Sequence, residues 1–89
     1  MYPILEAIEL SGRPEIRTQV MLDGFRPNPG FTYTGRTVII RMPSGTEFTT
    51  NVVDIRENLG VWSLILPIML TMTPGGSHLR FLSHGVIVE

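Results

Sequence analysis

Glycine and proline recur so closely along this chain that a long regular helix has little room to form. Nine glycines and seven prolines are spread through 89 residues, and inside a helix each glycine costs about 1 kcal/mol and each proline about 3 kcal/mol relative to alanine. The segments between them are rich in valine, isoleucine and threonine, side chains that suit a pleated, half-buried surface. Short strands joined by tight turns are what such punctuation permits.

The clearest unit is TVIIRMPSGTEFTTNVVDI, beginning at Thr37. Val38, Ile40 and Met42 fall on one face of a strand, and Thr37, Ile39 and Arg41 on the other. Pro43 and Ser44 suit the centre of a type I turn, and Gly45 suits the left-handed position that follows. On the return strand Phe48, Thr50 and Val52 alternate with Thr49, Asn51 and Val53, so the spacing predicts a hairpin. Further on, Glu57-Asn58-Leu59-Gly60 reads as a turn, with Asn58 and Gly60 the residues that tolerate positive φ. Glu15 to Leu22 reads as a strand with Ile16, Thr18, Val20 and Leu22 on one face. A turn at Thr73 to Ser77 is followed by two short strands, HLRFL and VIVE, separated at Ser83-His84-Gly85.

The first residues carry two patterns at once. Pro3, Ile4, Ile8 and Gly12 fit a short helix over residues 3–11. Ile4, Ile8 and Leu10 also share a strand face that Glu6 interrupts, and the Ser11-Gly12-Arg13-Pro14 turn favours the strand. With one domain spanning residues 1–89, the expected fold is all-β: a small barrel or compact sandwich of six to eight short, mostly antiparallel strands. Closure is favoured because it removes exposed strand edges.

Val61 to Met72, VWSLILPIMLTM, contains no charge. Twelve residues fall short of the ~20 a membrane helix needs, and Pro67 breaks a helix of that length. Two strands, VWSLIL and IMLTM, bent at Pro67 are expected. Trp62, Leu64 and Leu66 face one way and Val61, Ser63 and Ile65 the other, so both faces are largely apolar and both need cover. Val61, Trp62, Leu64, Leu66, Ile68 and Leu70 are therefore the interface candidates, with burial inside the monomer as the competing use of the same residues.

The connection Asp23 to Arg36, DGFRPNPGFTYTGR, is long for so small a domain. It places Phe25, Phe31 and Tyr33 beside Arg26 and Arg36, between prolines that lower the entropic cost of ordering a recognition loop. These are the binding-loop candidates. The plainer alternative is that Phe25 and Phe31 plug one end of a barrel. His78 and His84 are the conventional acid–base side chains; each follows a serine, but neighbours on a strand point to opposite faces. A metal site at His78 and His84 with Asp54, Glu57 or Glu89 lacks ligand spacing. No catalytic residue, metal ligand or cofactor is assigned.

Cysteine is absent, which excludes disulfides and thiolate chemistry. MYPILEAIEL has no basic segment and carries Glu6 and Glu9, unlike a secretory leader, so a cytoplasmic setting is expected. The formal net charge is −1 and all seven basic residues are arginine; no basic run is present to draw nucleic acid. Apolar residues make up 43% of the chain and its mean hydropathy is +0.20, high for a small domain and favouring self-association. The function expected is a non-catalytic interaction or assembly module, working as a homo-oligomer, most simply a dimer, or on a protein partner. The alternatives are a small barrel binding RNA or single-stranded DNA through Phe25, Phe31 and Tyr33 with Arg26, Arg36 and Arg41, and a metal-dependent enzyme built on His78 and His84.

Overall fold

The computed structural model describes residues 1–10, 17–67 and 86–88. They form seven strands: β1 (Tyr2–Leu10), β2 (Arg17–Leu22), β3 (Thr37–Arg41), β4 (Glu47–Asn51), β5 (Asp54–Asn58), β6 (Val61–Pro67) and β7 (Val86–Val88). All belong to one antiparallel sheet in the order β4-β3-β7-β1-β2-β6-β5. There is no helix among the described residues, and so none long and apolar enough to cross a membrane. The all-β expectation stands.

The two edge strands are consecutive in the chain. Only Val52 and Val53 separate β4 from β5, a link that spans at most ~11 Å between the flanking Cα atoms. Laid flat, seven strands would put those edges about 29 Å apart. The sheet must therefore curl, and the joint is held from both sides: Val52 N–H donates to Arg36 O at 2.9 Å and Val53 N–H to Ile65 O at 2.7 Å. β4 and β5 do not pair, so the sheet is curled but not closed into a barrel. The Cα radius of gyration is 12.3 Å, close to the ~12 Å of a compact chain of this length.

Strand β1 resolves the ambiguity of the first residues. It is extended, with a bulge between Ile4 and Glu6: Ile4 pairs with Leu22 but Glu6 with Met21. The extra residue, Leu5, shifts the alternation by one. Ile4 and Ala7 are buried while Glu6 and Leu5 are exposed. Without the bulge Glu6 would point into the core, where an unpaired carboxylate is prohibitive. The expectation that Ile4, Ile8 and Leu10 share one face is corrected for that reason; Ile8 and Leu10 are half-buried on the far side.

The β3–β4 hairpin has the expected register, from Thr37 opposite Asn51 to Arg41 opposite Glu47. Gly45 N–H donates to Met42 O at 2.9 Å and Met42 N–H to Thr46 O at 2.8 Å. Gly45 has φ of 91°. In the β5–β6 hairpin Asn58 pairs with Val61, and the turn is Leu59-Gly60 with φ of 52° and 82°. Two consecutive positive φ values match the twist of a two-residue hairpin. Asn58 is thus the last strand residue, and Leu59 rather than Asn58 takes the left-handed conformation.

The core lies inside the curl. Val20, Leu22, Ile40, Leu66 and Ile87 are at most 2% exposed, and each buried side chain of this size stabilises the fold by about 1.5–3 kcal/mol. Thr18, 0% exposed, has no hydrogen-bond partner for its Oγ1 among the described residues. The expected second strand IMLTM, the Ser11–Pro14 and Thr73–Ser77 turns and HLRFL lie outside the described residues.

Candidate functional site

The long connection after β2 is ordered by its own backbone. Asp23 N–H donates to Pro3 O at 2.9 Å, which ties its start to β1. Phe31 N–H donates to Asn28 O at 3.2 Å and Arg36 N–H to Tyr33 O at 3.0 Å, forming two turns. Gly35 N–H donates to Val52 O at 2.7 Å, fastening the second turn to the β4–β5 joint. Asn28 N–H donates to the Tyr33 hydroxyl at 2.9 Å, closing the first turn onto an aromatic side chain.

Four aromatic rings meet here edge-on. Phe25, 4% exposed, lies 5.1 Å from Tyr2 at 74° between planes. It lies 5.5 Å from Tyr33 at 86°, and Tyr33 lies 4.7 Å from Phe31 at 61°. Edge-to-face pairs of this kind are favoured by the ring quadrupoles. Arg36 lays its guanidinium over the outermost ring, 4.4 Å from the Phe31 centroid. Phe31 is 43% exposed, so stack and ring stand at the surface.

These rings border a pocket of about 240 Å³. Its floor is apolar and buried, made by Leu22, Val38, Val52, Leu64 and Ile87. Its rim is polar: Asn28, Arg36 and Thr37 line it and are exposed. An enclosed apolar space of ~150 Å³ suffices for benzene, so this one admits a side-chain-sized group.

Phe25, Phe31, Tyr33 and Arg36 of the binding-loop candidates come together at this pocket, whereas Arg26 is exposed and does not line it. Tyr2 and Asn28 also contribute. Tyr2 shares the strand with Ile4, and Asn28 sits between two prolines, a turn signal.

The interface candidates are placed differently. Leu64 and Leu66 are buried in the core, Trp62 packs partly against it, and Val61 is 36% exposed. On the opposite face Ser63 and Ile65 are 3% and 2% exposed. Both sides of β6 between Ser63 and Leu66 are therefore covered within this chain, and Leu64 and Leu66 offer no surface. Ile68 and Leu70 lie outside the described residues, as do His78, His84 and Glu89. Asp54 Oδ1 accepts from Ile55 N–H at 2.8 Å and Glu57 Oε2 from Gly60 N–H at 3.4 Å. No group of three metal-ligating side chains occurs among the described residues.

No protein-family model matches this chain, and the searches of curated proteins and of solved structures each found no match.

Proposed function

We propose that the protein is a non-catalytic interaction module that engages a partner chain through the aromatic end of its sheet. The observation that carries this is the pocket itself: a buried apolar floor opening beneath an exposed Phe31–Arg36 stack. Interfaces are anchored by aromatic and arginine side chains set around pockets that a partner group can fill. The partner is a second copy of the chain or a different protein, and the rest of the surface favours neither by strand addition. The edge strands β4 and β5 carry Glu47, Asp54, Arg56 and Glu57, and charge on an edge discourages sheet-to-sheet pairing.

Two measurements test this. Sedimentation velocity from low to high micromolar concentration reads self-association, and a mass increase lost in Phe31→Ala supports the homo-oligomer. Selection from a displayed peptide library reads a heterologous partner, with enriched sequences expected to lose binding to Phe31→Ala. A monomer that enriches no peptide sequence sinks the proposal.

A nucleic-acid ligand has one favourable feature, the exposed Phe31 ring with Arg36 on it. It loses another, because Arg41 Nε is 2.8 Å from Glu47 Oε2 and its charge is compensated. With a net charge of −1, the electrostatic attraction that dominates such binding is weak.

A further inference from the structure

We propose that the aromatic pocket binds a carboxylate carried on an apolar group, with Arg36 as the anchor for the anion. This deepens the interaction reading above and rests on it. Aromatic pockets commonly hold cations, through the negative faces of the rings. Here that role is already taken. The Arg36 guanidinium occupies the Phe31 face at 4.4 Å, and its positive charge repels a second cation. Arg36 is also the single charged residue lining the pocket among the described residues. No carboxylate among the described residues pairs with it: Glu47 is taken by Arg41 at the far end of β3, beside the hairpin turn.

A guanidinium stacked by its face keeps its edge N–H groups free, and those edges match a carboxylate in a two-pronged geometry. A second donor stands nearby in the chain. The Tyr33 hydroxyl oxygen accepts the Asn28 N–H, which leaves the phenolic hydrogen free to donate. The low dielectric of the apolar floor strengthens both interactions with a charged ligand at the rim. The floor sets the other half of the ligand: Leu22, Val38, Val52, Leu64 and Ile87 give no hydrogen bonds from their side chains and reward only apolar contact. A bare inorganic anion would leave that floor unused. A phenyl or branched aliphatic group with a carboxylate beside it uses both.

Two sources share this chemistry: the last residue of a partner chain that ends in a large apolar side chain, and a free small carboxylic acid. Two-dimensional amide NMR of the full chain, titrated with four probes, distinguishes them. The probes are 3-phenylpropionate, its primary amide, a short peptide ending in phenylalanine with a free carboxylate, and the same peptide amidated. The expected result is movement of the Phe25, Phe31, Tyr33 and Arg36 resonances, with each amide at least tenfold weaker than its acid. Arg36→Met, an exposed change that keeps an apolar stem over Phe31, is expected to erase that difference by weakening each acid at least tenfold.

Binding of the free acid but not of the peptide supports the inference and removes a partner's chain end as the source. Equal binding of acid and amide by the unaltered protein overturns the inference, yet leaves the interaction module standing on an apolar pocket. No resonance shift with any probe up to millimolar concentration overturns it as well, and the displayed-library selection then judges the module separately. Because the acid–amide comparison is made on the natural sequence, its outcome does not depend on a variant folding.

Discussion

The row Ala7, Val20 and Leu64 and the aromatic end around Phe31 belong to one sheet, yet they use their side chains in opposite ways. In the first, neighbouring strands place apolar groups directly opposite one another, and Val20 and Leu64 are 0% and 3% exposed. Every contact is already made inside the chain. In the second, rings touch by their edges, the outermost is 43% exposed, and about 240 Å³ stays open beneath them. The difference shows two uses of apolar side chains on so small a protein: one set is spent on the core, and the other leaves space at the end of the sheet where packing is incomplete.

That contrast can be broken by mutation. Leu66→Ala, at a position 0% exposed, is expected to lower stability by about 2–5 kcal/mol, since it removes transfer energy and leaves a cavity. Urea unfolding followed by Trp62 fluorescence would measure it, and a loss below about 1 kcal/mol would mean the row is less tightly packed than described. Phe31→Ala should cost about 1–2.5 kcal/mol, the combined scale of an edge-to-face contact and a surface cation–π pair. If its thermal midpoint fell as far as that of Leu66→Ala, the aromatic end would be core rather than binding surface. Thr18→Val keeps the shape but removes the hydroxyl that has no partner among the described residues. It is expected to raise stability by about 1 kcal/mol; a lower urea midpoint would show that Oγ1 is satisfied after all. Smallest of the four, Leu59→Asn should gain about 0.5–1 kcal/mol, because asparagine tolerates the left-handed turn that leucine adopts at φ of 52°. Unchanged or reduced stability would place a hidden contact on a side chain that is 94% exposed.

What could be seen in the sequence follows the range of the interactions involved. The β3–β4 hairpin was legible because Pro43, Ser44 and Gly45 specify its turn locally and Val38, Ile40 and Met42 alternate without a break. Phe25, Phe31, Tyr33 and Arg36 stood out because they share one long connection. The rest of the pocket did not: Tyr2, Leu22 and Ile87 reach it from β1, β2 and β7, and strand order is set by pairings between distant residues. The β1 bulge was hidden for a related reason. Glu6 breaks the alternation, and only its placement beside Met21 shows that the chain skips a residue to keep that carboxylate outside. At Leu59 turn geometry overrode residue preference, since the twist of two strands required positive φ whatever side chain was present.

Strand β7 carries a consequence for how the chain acquires its shape. Three residues long, it pairs with β1 through Tyr2 opposite Ile87 and with β3 through Ile40, also opposite Ile87. Within the described sheet it is the sole bridge between the β3–β4 hairpin and the four strands β1, β2, β6 and β5. The hairpins β3–β4 and β5–β6 close over short loops and can form early. The two halves also meet at the Val52–Val53 joint, but the strand ladder between them is completed only by residues 86–88, the last of the seven strands in the order of synthesis. On a ribosome, then, the ladder between β3 and β1 stays open until β7 has emerged, and Ile87, which also forms part of the pocket floor, couples completion of the sheet to completion of the pocket.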